Sequence, residues 1–270
     1  RARRLAWSYR KRRAQISMKQ ILQSARSGEL ELVEVPSPTP APGQVLVANH
    51  YSVVSPGTEK MALDFARKSL VSKARSRPDL VKQVLKKLQH EGPMPTYRAV
   101  TTRLEAPQPL GYATAGVVVA VGEGVEGFAP GDRVACAGAG YANHAEFVTV
   151  PDNLVVHVPA ELELDKAAYA TLGAIAMQGV RVADPRLGEI VAVIGLGLIG
   201  QLTVQLLRAA GCQVLAIDIN EDRIAEAMDQ GATWSALPGD DHEPWKNAAT
   251  HGYGADIAIV TAASESSAPI

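Results

Sequence analysis

Cysteine is scarce. The chain has two, Cys136 and Cys212, far apart and without the short spacings of a metal-binding set. That excludes a disulfide scaffold and a multi-cysteine zinc lobe, and it points to a reducing compartment, hence a cytoplasmic location. Net charge is nearly absent too. With 27 basic against 28 acidic residues the chain sits at −1, which leaves no electrostatic handle for nucleic acid or an anionic membrane. No apolar run approaches the roughly 18 residues of a membrane-spanning helix. The six histidines, His50, His90, His144, His157, His242 and His251, show no ligand spacing and read as structural. What remains is the composition of a soluble globular protein, 47% apolar and 20% charged, over 270 residues, enough for two cores.

The first seventeen residues, RARRLAWSYRKRRAQIS, hold seven basic side chains and no acid. A transit-type presequence has that bias. A basic nucleic-acid arm has it as well, and so would translation upstream of a start at Met18. The third reading is preferred because a strand pattern begins soon after Met18. Residues 1–17 are therefore set apart as a disordered or non-native extension.

From Met18 to about Pro159 the signals are those of a β-rich domain. ELELVEVP alternates, QVLVANHYSVV reads as a strand, and AGVVVAVG, GDRVACAG and AEFVTVP are short apolar runs divided by Gly, Pro and Asp turns. Such a series suggests a barrel or a partly barrelled sheet. Residues 60–108 interrupt it. There RPDLVKQVLKKLQHEG places Leu80, Val81, Val84, Leu85 and Leu88 on one helical face, with Lys82, Lys86 and Lys87 solvated on the others and Gly92 as the stop.

After Pro159 the period changes. AAYATLGAIAMQGV is helical; a buried strand, a glycine turn, a helix ending at Gly211 and a second strand then form a βαβ unit. EDRIAEAMDQG adds a helix and ADIAIVTAA a strand, so a parallel, doubly wound sheet is expected. GLGLIG puts Gly195, Gly197 and Gly200 on the GxGxxG spacing, after the predicted strand Ile190 to Ile194 and at a helix start. Gly195 permits the turn, Gly197 lets backbone approach a pyrophosphate, and Gly200 lets the helix pack close. The helix N-terminus offers N–H groups to the phosphates.

Asp218, 18 residues after Gly200, is placed to accept hydrogen bonds from the adenosine ribose hydroxyls. A 2′-phosphate would meet that carboxylate, so NAD(H) is favoured over NADP(H). Arg223 softens this preference unless it salt-bridges on its own helix. Leu198, Ile199, Ile219 and Thr261 complete the candidate cofactor set.

The two segments PLGYATAGVVVAVGEGVEGFAPGDRVA and GLGLIGQLTVQLLRAAG together resemble the medium-chain dehydrogenase/reductase superfamily, the zinc-type alcohol dehydrogenase-like proteins. The resemblance runs from about Met18 to the C-terminus apart from the inserted helix. It implies an α/β fold with a β-rich part: a GroES-like catalytic domain at 18–165, carrying the insertion at 60–108, followed by a Rossmann domain at 166–270. Because the chain stops after a fourth Rossmann strand, that domain is expected to be incomplete at its C-terminus, with an exposed sheet edge prone to association. Weak or absent activity is expected of the fragment on its own.

Zinc-dependent members carry Gly-His-Glu where this chain has Gly111, Tyr112 and Ala113. Their first metal cysteine corresponds to Pro56, or to Ser55 if the loop shifts, within SPGTE; the third ligand falls near Leu172. Catalytic zinc needs three protein donors of N, S or anionic O type. None of these slots supplies a good one, so no zinc is expected. A hydride transfer then needs another hydrogen-bond donor and a proton route. Thr58 matches the family's relay hydroxyl, Tyr112 occupies the histidine slot, and Ser55 and Glu59 are loop neighbours. These four are the catalytic candidates, against plain readings as turn hydroxyls, a packed tyrosine and a surface acid.

YSVVSPGTEK, the basic inserted helix and LGYATAG look most like a zinc-lacking branch that includes the front half of bacterial bi-domain oxidoreductases. In those a Gfo/Idh/MocA-type domain follows on the same chain, often in a cell-surface polysaccharide context. The bacteriochlorophyllide-type dehydrogenases share a similar loop. The resemblance implies a zinc-independent, NAD(H)-linked oxidoreductase acting on a small alcohol or carbonyl, with a sugar or nucleotide-sugar as the expected substrate. A fused C-terminal oxidoreductase domain and a homo-oligomer are further expectations. Two alternatives stand beside it: a quinone or enone reductase, and a non-catalytic dinucleotide-binding module of a larger fused protein.

Overall fold

A computed structural model describes residues 17–24, 27–59, 78–96, 106–239 and 252–262. Most of the basic extension, and residues 60–77 and 97–105 of the insertion, lie outside the described residues. The chain divides into two compact units, Arg1–Tyr169 and Ala170–Ile270, so the break falls four residues beyond the boundary expected from sequence.

The first unit is built on two antiparallel sheets. Strand β1 (Ser17–Gln23) lies between β2 (Leu30–Pro36) and the short β4 (Gln108–Pro109). The larger sheet has the order β7-β3-β5-β6-β8, from β3 (Gln44–Ser52), β5 (Ala113–Val121), β6 (Arg133–Ala137), β7 (Phe147–Pro151) and β8 (Val155–His157). The β-branched residues that make these strands also make their core. Val45, Val47, Val118, Val134, Val148 and Val150 pack together, each at most 3% exposed. Burying a Val of this kind contributes about 1.5–3 kcal/mol before entropy is counted.

Strand β3 starts inside this core and runs out of it: Val45, Leu46 and Val47 are fully buried, whereas His50, Tyr51 and Ser52 are exposed. The chain therefore leaves the core at the point where the loop Ser55–Glu59 begins. Strand β1 reaches the same region from the other sheet. Ile21 N–H donates to the His144 carbonyl at 3.0 Å, and Glu146 N–H donates to the Lys19 carbonyl at 3.0 Å. The segment that carries His144 is thus pinned on its backbone from β1.

Helix α1 (Pro78–Glu91) occupies the insertion, and Gly92 closes it in the left-handed region at φ +83°. Val84 and Leu88 on its expected apolar face are exposed, like Lys82 and Lys86. A short helix α2 (Leu164–Ala167) ends the unit. The single helix expected in AAYATLGAIAMQGV is instead broken between α2 and α3 (Ala170–Ala183).

The second unit is a parallel sheet in the order β11-β10-β9-β12, from β9 (Ile190–Ile194), β10 (Gln213–Ile217), β11 (Trp234–Ala236) and β12 (Ile257–Val260). Helices α4 (Leu198–Ala209) and α5 (Glu221–Asp229) make two of its connections. On α4 the buried residues Gly200, Thr203, Val204 and Leu207 recur at helical spacing, so one stripe faces the sheet. The helix stops where Gly211 takes φ +82° and Cys212 N–H turns back to the Leu207 carbonyl. On α5, Asn220 caps the first turn by accepting Arg223 N–H at 3.1 Å, and Glu221 and Asp222 sit at the positive end of the helix dipole. No helix among the described residues is long and apolar enough to cross a membrane.

Candidate functional site

Each unit carries one candidate site. In the second unit it is the turn between β9 and α4. Gly195 has φ +92°, and a Cβ there would lie 2.6–2.8 Å from the backbone and side chain of Ala262. Gly200 has no room either, since a Cβ would stand 2.0 Å from the Gly195 carbonyl oxygen. Gly197 is different: it is exposed, extended at φ −70° and ψ −169°, and has nothing within 4 Å of a built Cβ. Two glycines therefore keep the turn tight while the middle one leaves open space in front of the helix.

Gly197 also serves as the cap residue of α4 and brings no side chain to its N–H groups. The first helical bond runs from Gln201 N–H to the Gly197 carbonyl, which leaves the preceding amides of the first turn unsatisfied. An uncapped helix start, a positive dipole end and a Cβ-free opening form a cradle that suits a pyrophosphate. The half-buried Leu198 and Ile199 form this first turn. Thr261 ties the far side: its N–H donates to the Ile194 carbonyl at 2.8 Å and its hydroxyl donates to the Gly195 carbonyl.

Asp218 follows β10 and is buried, 6% exposed. Its carboxylate is already engaged: Oδ2 accepts Leu196 N–H at 2.6 Å and Oδ1 accepts Asn220 N–H at 2.9 Å. A carboxylate has about four acceptor sites, so capacity for hydroxyl donors remains. Arg223 Nη1 stands 3.7 Å from Asp218 Oδ2, so the guanidinium faces the ribose-site candidate. More than half of its side chain is exposed and the pair is screened. Ile219 is 82% exposed and free to flank a ligand.

In the first unit the catalytic candidates fall on the loop after β3. Residues 56–59 make one helical turn. Ser55 and Glu59 close it reciprocally: Glu59 N–H donates to the Ser55 carbonyl at 2.9 Å, and Ser55 N–H donates to Glu59 Oε1 at 3.0 Å. Pro56 as the first helical residue suits this geometry. The buried Ser55 directs its hydroxyl to Thr58 Oγ1 at 3.4 Å, and Thr58 is exposed.

The residue that sequence reading passed over is His144. Its Nε2 lies 3.2 Å from Glu59 Oε1 and its Nδ1 2.9 Å from Ser52 Oγ. The imidazole is nearly buried, with its side chain 6% exposed, and Glu59 at 13% is almost as enclosed. Gly111 supports it from the other side. At φ +94°, a Cβ on Gly111 would meet the backbone nitrogen and ring of His144 at 2.8–2.9 Å. His144 N–H donates to the Leu110 carbonyl at 2.7 Å. Tyr112, next in the chain, is half-buried and accepts Gly138 N–H on its carbonyl at 2.9 Å.

Glu59 is thus neither a surface acid nor only a turn closer. No spacing rule links positions 59 and 144; only the pairing of β3, β5 and the β1 edge brings them together. His50, the other histidine near these segments, is exposed.

Of the positions read from the resemblance as zinc-ligand slots, Ala113 and Leu172 are buried and apolar and Pro56 offers no donor, and no three of His, Cys, Asp and Glu gather among the described residues. Burial pushes the Cys136 thiol up to about 12, with a partly opposing hydrogen bond from Thr114, so it stays neutral and a poor ligand. Cys212 is raised as well, by burial first and Glu189 second.

Comparison with known proteins gives matches to both units. Residues 87–160 match the family model for the alcohol dehydrogenase GroES-like domain, and residues 199–269 match that for zinc-binding dehydrogenase. The (R,R)-butanediol dehydrogenase of Bacillus subtilis (strain 168) is 31% identical over 156 residues, 48% of this chain and 45% of the relative. The chain thus spans less than half the length of that curated relative. An alcohol dehydrogenase superfamily protein from Novosphingobium aromaticivorans superposes with a TM-score of 0.67 at 25% identity, over 91% of this chain and 66% of that one. A quinone oxidoreductase from Pseudomonas syringae pv. Tomato DC3000 does so with a TM-score of 0.64 at 22% identity, over 89% and 65%, a likeness of fold.

Proposed function

We propose that this chain belongs to the medium-chain dehydrogenase/reductase superfamily of zinc-type alcohol dehydrogenase-like proteins, as the two family-model matches support, and is part of a zinc-independent oxidoreductase that interconverts an alcohol and a carbonyl with NAD(H). The observation that carries the cofactor reading is the cradle at Gly197: open space in front of an uncapped helix, with Gly195 and Gly200 leaving no room for anything but the turn. Leu198, Ile199 and Gly200 would hold the pyrophosphate by their amides, and Asp218 the adenosine ribose. When bound, the dinucleotide supplies the hydride acceptor or donor.

On the first unit the loop and strand entrance named from the resemblance, Thr58 and Tyr112 with Ser55 and Glu59 beside them, mark where the alcohol or carbonyl would meet a proton donor. Zinc independence is supported by the chemistry of the residues at the family's ligand positions, which offer a phenol, a hydroxyl, a proline and two apolar side chains. A sugar or nucleotide-sugar substrate, a cytoplasmic location, a homo-oligomer and a fused second oxidoreductase domain belong to the same proposal. The location rests on the scarcity of cysteine, and the others on the likeness of YSVVSPGTEK, the inserted helix and LGYATAG to the zinc-lacking branch.

The test is a fluorescence titration of the full-length protein with NADH and NADPH, followed by NAD⁺-linked oxidation of a panel of sugar alcohols and 2,3-butanediol, with metal analysis of the same preparation. Tighter binding of NADH, turnover of an alcohol and sub-stoichiometric zinc are expected. One zinc per chain would overturn the metal-free reading. A preference for NADPH would favour a quinone or enone reductase, and tight NADH binding without turnover a non-catalytic module.

A further inference from the structure

The two hydroxyl routes into the first unit's site differ in what stands behind them. The Thr58 hydroxyl meets another hydroxyl, that of Ser55, at 3.4 Å. The Ser52 hydroxyl meets an imidazole at 2.9 Å, and that imidazole meets a carboxylate at 3.2 Å. A hydroxyl can pass a proton on but does not retain one; an imidazole retains it, and an adjacent carboxylate stabilises the cation that results. The chain Ser52–His144–Glu59 also runs from an exposed residue to two enclosed ones, with side chains 6% and 13% exposed.

The orientation of the proton follows from the partners. A carboxylate only accepts, so the nitrogen facing Glu59, Nε2, carries hydrogen. In the neutral ring Nδ1 is then a bare lone pair, aimed at the Ser52 hydroxyl, which donates to it. The second bond to Glu59 Oε1, from Ser55 N–H at 3.0 Å, holds the carboxylate in place, and Gly111 closes the remaining side of the ring. The imidazole is therefore fixed in both tautomer and direction. It is not a packed core histidine with one incidental partner.

We propose that Ser52 is the hydroxyl that exchanges a proton with the reacting oxygen, and that His144, oriented by Glu59, is the positioning residue that takes that proton from Ser52. This rests on the oxidoreductase reading above. In the oxidation direction, the alcohol C–H bond breaks and its electron pair leaves as hydride to NAD⁺, the oxidant. The alcohol O–H bond breaks as its proton forms a bond to Ser52 Oγ. The original Ser52 O–H bond breaks as its proton forms Nδ1–H on His144, giving an imidazolium beside the Glu59 carboxylate. The carbonyl forms, and the proton later leaves to solvent by the same hydroxyl. Reduction runs the steps in reverse.

The experiment uses the full-length protein, saturating NAD⁺, the alcohol panel above, and ¹⁵N-labelled histidine for NMR. Ser52 is exposed and Ser52→Ala removes only its hydroxyl, and thermal melting of the variant reads whether the fold is retained. The expected result is a fall in kcat of about 10²-fold, with an unchanged Kd for NADH and recovery in Ser52→Thr. His144→Gln should lower kcat similarly and raise the solvent deuterium isotope effect on kcat, as the proton step becomes limiting. In the wild type, NMR should show the Nε2–H tautomer, with the Nδ1 resonance moving in Ser52→Ala.

An Nδ1–H tautomer, or a kcat in Ser52→Ala within threefold of wild type, overturns the relay while leaving the oxidoreductase reading intact. A larger loss from Thr58→Val than from Ser52→Ala returns the proton route to Thr58. No NADH binding, or no NAD⁺-linked turnover across the panel, overturns the oxidoreductase reading and the relay with it.

Discussion

The carboxylate of Asp218 holds the glycine turn through the amide of Leu196, at 2.6 Å from Oδ2 to N, so the residue expected to bind ribose also braces the turn expected to bind phosphate. The two roles separate by substitution. Asp218→Ala removes the acceptor for both Leu196 and Asn220 amides, one of them buried, and should lower stability by about 1–3 kcal/mol. It should also relax the preference for NADH over NADPH by tenfold or more. Chemical denaturation and fluorescence titration read the two effects independently. An unchanged coenzyme ratio in a destabilised variant would assign Asp218 to the turn alone.

Two of the turn glycines, Gly197 and Gly200, predict opposite outcomes for one added methyl. In Gly200→Ala the Cβ would stand 2.0 Å from a backbone oxygen, so helix and turn must move apart, at a cost of about 1–3 kcal/mol or more. Gly197→Ala meets nothing within 4 Å and keeps an ordinary extended backbone, so melting should be unchanged. The methyl would instead fill the space in front of the helix and weaken NADH binding at least tenfold. Equal NADH affinity in Gly197→Ala and wild type would remove the pyrophosphate from this opening.

Much of this turn was legible in the sequence, because the chemistry there is local. The strand Ile190–Ile194, Gly195, Gly197, Gly200 and the helix that follows are contiguous, and each glycine's task can be read from its offset. Strands β8 and β11, at three residues each, are too short for alternation to mark them. The surroundings of His144 were not legible, for a different reason. Its partners lie 85 and 92 positions away in the chain and meet it only through sheet pairing, so no spacing pattern announces it. Glu59 was singled out through its place in SPGTE, but its contact with an imidazole was not foreseeable from the loop itself. Tyr112 is half-buried just before β5, and its neighbour Gly111 has the more definite structural role.

Gly111 sets the position of His144 by having no side chain. In Gly111→Ala the added Cβ would overlap the His144 backbone and ring, and φ +94° is costly for any L residue. Stability should fall by about 1–3 kcal/mol, and the His144 ¹⁵N resonances should shift although neither Ser52 nor Glu59 has been altered. If the resonances stay in place, the imidazole is held by its two hydrogen bonds alone and Gly111 serves only the strand entrance.

Cys136 makes a prediction about alkaline pH. Burial raises its thiol from the ordinary 9.0 to about 12, so the folded protein keeps the thiol protonated where the unfolded chain ionises it. Below pH 9 both states are protonated and the group contributes no pH dependence. Between about pH 9 and 12 the unfolded state binds fewer protons, and stability falls as pH rises, by about 1.4 kcal/mol per unit from this group. Cys136→Ala should therefore be less stable than wild type at pH 8, because a buried atom is lost, yet lose less stability between pH 8 and 10. Urea denaturation of both proteins at the two pH values measures the difference of slopes. Parallel slopes would mean that the thiol is not held neutral, in which case it should also react with a thiol reagent in the folded protein.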